Sequence, residues 1–404
     1  MMCKFVDFLV SSRVAKWRCL MKFTTWYREL LMKRKGLFLF VFLWLAPTLT
    51  NAQLSSEDPV GVPSYLKDLE ELGYCVIPQV LSVPETELLY QRVWHEFIEK
   101  AWPNCRMDDR SYWKDAFPMH NKVGIFAGPA GQIQVMWDLR QDPRIIDIFA
   151  RIWNTNDLIV SMDGLSLMCP PEIREGNYEP WPHVDQAILR RQDDVAHNNN
   201  PPIDFVSESS LRTKPFTIQG QFLFEDSFEG DGGFYCIPKS HLKFKEFAPK
   251  LEALDALEVS KEEKKKARTD YVQDFFGNGT DESGNPYCMK HVTAPRGSLI
   301  LWDSRTVHWN QHASKDRPHS DNPKVRMVGY LCYVPKVRLT NEIRAFRSEI
   351  FEMGVSTGHN PAFPEIKRTN DHIRRGFEGY LEDPSYIQPK IHLTPVGESL
   401  LGRY

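Results

Sequence analysis

Between about residue 157 and residue 334 the chain is a succession of short apolar runs broken by turn signals, and nothing else constrains the fold as much. Leu158–Ser161, Leu165–Met168, Thr217–Phe224, Gly233–Pro238, Ser298–Trp302 and Arg326–Val334 each have the length of a strand. Gly, Asp and Pro flank them, and Thr217–Phe224 partly alternates polar with apolar residues. Strands at this density predict a mainly β domain with flanking helices, of the jelly-roll or barrel kind. The composition allows it. At 404 residues and 42% apolar, the chain can bury a core without a metal or a disulfide to hold it. Its 11 Trp and 24 Phe suit such a core.

Ahead of the strands, Leu66, Leu69 and Leu72 fall at helical spacing and Gly73 stops the run. Tyr74–Pro78 reads as a short strand. Ser82-Val-Pro-Glu85 is a capping box with proline in the first turn, and it opens a helix carrying Leu89, Val93 and Phe97 on one face. Two polar segments, 187–215 and 243–290, interrupt the strand pattern and read as insertions. The second contains Lys261-Glu-Glu-Lys-Lys-Lys-Ala-Arg268, which reads as a solvated helix. The main domain then covers residues 53–340. Residues 341–404 form a carboxy-terminal extension, helical over Glu342–Phe351 and irregular afterwards.

Residues 1–52 read differently from the rest. Arg34 and Lys35 precede a ten-residue apolar stretch, Leu37–Ala46, and small residues follow at Thr50 and Ala52. From Met32 onward this is the pattern of a signal peptide, with cleavage after Ala52. The alternative is an uncleaved amino-terminal anchor, with residues 36–52 as a membrane tether. The stretch is shorter than the roughly 20 residues of a membrane span. Either way the expected destination is the secretory pathway, as a lumenal, secreted or anchored protein. The competing reading is a cytoplasmic or peroxisomal protein whose first 52 residues are mis-assigned. Asn278-Gly-Thr is one glycosylation sequon.

Charge and cysteine usage exclude some classes. A net charge of -3 does not provide the basic surplus of a general nucleic-acid binder. The eight cysteines form no CxxC pair, which argues against a thiolate zinc site or a thioredoxin-like centre. Cys236 and Cys332 lie in apolar runs, where a buried free thiol is expected.

The residues that carry chemistry are few. In Trp181-Pro-His183-Val-Asp185, one residue separates His183 from Asp185, so on an extended segment both side chains point the same way. A distant second histidine would complete a two-His, one-carboxylate set that leaves metal positions open. Pro295–Asn310 offers one: a turn at Gly297 feeds a strand, and His308 lies just past the strand end. Arg326 opens the last strong strand, and a planar guanidinium is suited to hold a carboxylate at two points. Arg317, in the polar loop between His308 and Arg326, competes for that role.

These segments in this order resemble the phytanoyl-CoA dioxygenase family. The resemblance rests on Gly73-Tyr-Cys-Val-Ile-Pro78, on His183 and Asp185, on Gly232-Gly-Phe-Tyr-Cys-Ile-Pro-Lys-Ser-His241, on Gly297 through His308, and on the later Arg326. It spans roughly residues 64–336. It departs from the family where Lys239 stands in place of a glycine and where the His308–Arg326 gap is long. The resemblance implies a double-stranded β-helix core and an Fe(II)- and 2-oxoglutarate-dependent dioxygenase using O2, with ascorbate as reductant. It implies His183, Asp185 and His308 as iron ligands, and Arg326, Gln221 and Asn310 as residues touching 2-oxoglutarate. The expected partner is a small organic substrate, hydroxylated with release of succinate and CO2; desaturation stays open. The rival readings are a zinc-dependent hydrolase on the same three ligands and a non-catalytic binding protein. His241 is expected to be structural, and His291, His312 and His319 to lie at the surface.

Overall fold

Local signals set the first elements. Helix α1 (Ser64–Leu72) ends at Gly73, whose φ of 78° forms a left-handed cap and turns the chain into β1 (Tyr74–Ile77). A β-carbon at Gly73 would stand 2.4 Å from the His241 ring, so the turn also requires close approach. Ser82 and Glu85 form both halves of a capping box at α2 (Val83–Val93), which continues through a π-helical turn, Trp94–Ile98. After β2 (Ile125–Phe126) come α3 (Gln134–Gln141) and α4 (Pro143–Trp153), the latter capped by Asp142 and led by its proline.

The strands follow as β3 (Leu158–Val160), β4 (Leu165–Met168), β5 (Ile218–Leu223) and β6 (Gly233–Cys236). Two helices intervene, α5 (Phe244–Asp255) and α6 (Lys261–Gly277). Then come β7 (Lys290–Val292), β8 (Leu299–Asp303), β9 (His308–Gln311) and β10 (Arg326–Pro335). Helices α7 (Asn341–Glu352) and α8 (Pro395–Leu401) close the chain.

In this computed structural model the described residues are 63–116, 124–126, 128–174, 176, 180–186, 216–318, 323–366 and 390–404. They belong to one unit, Ser55–Tyr404. The expected signal or anchor at 1–52 and the insertion at 187–215 lie outside the described residues, as does His319. Among the described residues no helix is long and apolar enough to cross a membrane.

All the pairings between the strands are antiparallel. One sheet runs β1-β8-β5-β10-β4-β2, with β3 pairing the far end of β10; the other runs β7-β6-β9. The molecule is thus an antiparallel, sheet-rich core with flanking helices. Side-chain alternation shows its layers. Leu299 and Leu301 of β8 join a core with α1, α2, α3 and α4, whereas Ile300 and Trp302 join a second core with Phe234 and Cys236 of β6. A third core places Trp309 and Val307 against Phe244, Phe247, Val272 and Phe276 of the helical pair α5–α6. The order is helices, large sheet, small sheet, helical pair. Residues 243–290, expected from the sequence to be an insertion, supply that last layer through α5 and α6, covering the outer face of the small sheet.

Candidate metal centre

The interior between the two sheets is apolar over Leu223, Phe234, Ile300, Trp302 and Val328. Next to this core, Ser166, Gln219, Gln221, His308, Asn310 and Arg326 are all buried. Buried polar residues are the informative exception in a sandwich interior. They also explain the alternation of Thr217–Phe224: Ile218 and Phe222 pack on the helical side, so Gln219 and Gln221 point between the sheets.

The HxD segment lies against β9. His183 N–H donates to the His308 carbonyl at 3.1 Å and His308 N–H returns the bond at 2.9 Å, an isolated antiparallel bridge that extends the small sheet. Asp185 N–H donates to the Ser304 carbonyl at 3.1 Å. This brings the three expected ligands together. His308 Nε2 lies 3.2 Å from Asp185 Oδ2 and His183 Nε2 lies 3.6 Å from Asp185 Oδ1, and one ligand atom from each falls within 4.8 Å of the others. His308 lies past the end of β8, as the sequence predicts, and itself opens β9.

Ring chemistry fixes which nitrogen is available. His183 Nδ1 is 3.2 Å from the Trp181 carbonyl, and His308 Nδ1 is 2.9 Å from the Thr306 carbonyl. A carbonyl only accepts, so each Nδ1 must carry the hydrogen, and in the neutral ring each Nε2 presents a lone pair toward Asp185. Such a backbone partner on the far nitrogen is what orients a metal-binding imidazole. Trp181 stacks on the His183 ring at 4.4 Å and 9°, and its indole N–H donates to the Asn310 carbonyl at 2.9 Å. Burial, then the neighbouring His308, pushes the His183 ring down to about 3, so it is neutral at ordinary pH. Burial opposes ionisation of Asp185, but its neighbours, His359 first among them, hold it well below the usual carboxylate range.

Arg326 is 9% exposed. Its Nη1 donates to Ser166 Oγ at 2.9 Å; its Nη2 donates to Asn310 Oδ1 at 2.9 Å and, more weakly, to Gln221 Oε1 at 3.4 Å. Asn310 in turn donates to the Tyr330 hydroxyl at 3.0 Å. All these partners are neutral, and among the described residues no carboxylate pairs with Arg326. A buried cation with only neutral partners is costly and suits an anionic ligand. Gly232 allows the packing, since a β-carbon there would meet Arg326 Cδ at 3.1 Å. Arg317 is different: Glu172 holds it at 2.8 Å and Asp231 at 3.2 Å.

Sequence reasoning missed His359 and Asp163. His359 Nδ1 bonds Asp163 Oδ2, and its Nε2 lies 3.8 Å from Asp185 Oδ2. Serine, threonine and glycine precede this histidine with no motif around it, so only the fold reveals it. His312 is buried, not at the surface, and His291 is stacked on Tyr235 at 4.5 Å. His241 is buried between Gly73 and the Glu70 carbonyl, a structural position. Lys239, where the resembled pattern has glycine, takes a φ of 66° and bonds Asp281 at 2.6 Å. The described cysteines are free, five of them buried and Cys288 exposed.

No protein-family model matches the chain. Among curated proteins it is similar to Ava biosynthesis cluster protein O of Aspergillus versicolor, with 25% identity over 291 residues that cover 71% of this chain and 82% of the relative. Among solved structures it is similar to SnoK, a non-heme alpha-ketoglutarate-dependent carbocyclase from nogalamycin biosynthesis. That match has a TM-score of 0.40 and 17% identity, covering 67% of this chain and 83% of SnoK. It is also similar to HygX from Streptomyces hygroscopicus, solved with nickel and 2-oxoglutarate bound, with a TM-score of 0.40 and 13% identity over 68% of this chain and 87% of HygX.

Proposed function

We propose that the chain is an Fe(II)- and 2-oxoglutarate-dependent dioxygenase of the phytanoyl-CoA dioxygenase kind, on a double-stranded β-helix formed by the two sheets. It hydroxylates a small organic substrate, with succinate and CO2 as co-products. One observation carries this: two imidazoles, each pinned through Nδ1 by a carbonyl two residues back, turn Nε2 toward a single carboxylate. Neutral nitrogen donors and one carboxylate suit a divalent iron and leave part of its coordination for other ligands. When bound, the iron and 2-oxoglutarate supply an oxidant able to attack a C–H bond.

The chain's own residues do the rest. His183, Asp185 and His308 hold the metal. Arg326 pairs with the far carboxylate of 2-oxoglutarate, whose charge replaces the neutral partners it has now. Gln221 and Asn310 yield the guanidinium to the cosubstrate and then touch the cosubstrate themselves. Trp181 prevents the His183 ring from rotating. Phe234, Trp302 and Val328 keep bulk water from the inner wall. The rival hydrolase on the same ligands has no use for Arg326.

Residues 53–404 supplied with Fe(II), ascorbate and 2-oxoglutarate in air should form succinate, and His183→Ala should not. Equal succinate from both proteins would place the chemistry elsewhere.

A further inference from the structure

A cleft of about 460 Å³ opens directly onto the metal centre. His183 and Asp185 line it, together with Trp181 and Val184. The first part of α6 lines it too, with Lys261, Lys264, Lys265 and Arg268, as does Asp255 from the end of α5. Four cations and the Asp185 carboxylate therefore share one opening.

This arrangement is not what solvation alone would select. Lys261 with Lys265, and Lys264 with Arg268, place like charges four residues apart on one face, which costs helix stability. Among the described residues only Val272 and Phe276 of α6 are buried, both near its far end, so packing does not explain the basic start. Asp255 takes up part of the charge: Arg268 bonds its carboxylate at 3.2 Å and Lys264 bonds its carbonyl at 2.9 Å. Glu263 is occupied by the Ser260 cap, and Lys266, outside the cleft, pairs with Asp270. Lys261 and Lys265 remain without an ion-pair partner among the described residues.

We propose that Lys261 and Lys265 bind the anionic head group, a carboxylate or a phosphate, of the substrate that this site oxidises. The inference rests on the oxygenase reading for what happens at the metal, but binding itself needs no turnover. The apolar part of such a substrate would lie along Trp181 and Val184, and the head group would stay at the solvated rim, where lysines reach it without being buried. The inserted helical layer then covers the small sheet and selects the substrate at once.

The test uses the full chain with Fe(II) and 2-oxoglutarate under nitrogen, titrated calorimetrically with decanoate, decyl phosphate and decanol. The three probes share a tail and differ in the head. At least one anion should bind about tenfold tighter than decanol, since two exposed lysines supply that much. The tighter of the two names the head group. Added salt should narrow the preference, and the double variant K261E/K265E should abolish it while leaving the visible absorption of the Fe(II)–2-oxoglutarate complex unchanged. Equal affinity for the three probes, or a preference that survives in K261E/K265E, overturns the proposal. Missing absorption in the wild-type protein counts against the oxygenase reading instead, and the probe affinities still decide the role of the lysines.

Discussion

Arg347 and Arg326 are both buried, and among the described residues neither pairs with a carboxylate, yet their surroundings differ in kind. Arg347, in α7, donates only to backbone: Leu401 O at 2.9 Å, Pro361 O at 2.9 Å, Val160 O at 2.7 Å and Leu400 O at 3.1 Å. Leu400 and Leu401 end α8, where unpaired carbonyls form the negative end of the helix dipole. Those acceptors cannot turn away, so Arg347 is a fixed clamp tying the carboxy-terminal helix to β3. Arg326 donates to side chains of Ser166, Asn310 and Gln221, which can rotate and yield to an incoming anion. A buried arginine bound by backbone holds the fold; one bound by rotatable neutral side chains is set up to receive a ligand.

The contrast can be broken by substitution. Arg347→Met leaves four carbonyls unpaired and should cost about 4 kcal/mol of stability, read by urea unfolding. A loss below about 1 kcal/mol would remove the clamp from the account. Arg326→Met exchanges a buried cation for an apolar chain, so stability should hold or rise. Its affinity for 2-oxoglutarate in the Fe(II) protein should fall about a hundredfold by calorimetry. Unchanged affinity would mean that the anion site lies elsewhere. Arg317→Met should cost only about 1–2 kcal/mol, because Glu172 and Asp231 keep access to water, and it should leave 2-oxoglutarate affinity intact. A hundredfold loss there would exchange the roles of the two arginines.

The smallest effect belongs to an exposed arginine pair. Arg144, then Ser82, lowers the Glu85 carboxyl from 4.5 to about 2. A folded value below the unfolded one stabilises above about pH 4.5, and that contribution is lost as pH falls toward 2. The Glu85 side chain is 45% exposed, so screening keeps the contribution to about 1 kcal/mol or less. The melting temperature of Glu85→Gln should trail the wild type at pH 6 and meet it near pH 2. A constant gap would indicate a capping effect independent of charge.

Much of this was legible in the sequence. Short runs with turn signals gave the strands, and Ser82 and Glu85 marked their helix by a local device that needs no tertiary context. Asp142-Pro143 marked α4 in the same way, a signal that pattern reading passed over. His183, Asp185 and His308 could be picked out because an HxD spacing on an extended chain already implies one direction. Alternation alone would have turned Gln219 and Gln221 outward, since polar residues normally face water. They face inward because the space between the sheets is where Arg326 and Asn310 stand. His359 and Asp163 lie 196 positions apart and meet only through the folded chain. The basic start of α6 read as a solvated face because a sequence does not show which surface lies across from it.

The central claim is that His183, Asp185 and His308 hold an iron to which 2-oxoglutarate binds. Under nitrogen, Fe(II) and then 2-oxoglutarate are added to the protein and to His308→Ala, and visible absorption is followed. The account predicts a charge-transfer band in the wild type that needs both additions and is missing from the variant. No band in the wild type, or the same band in His308→Ala, would contradict it.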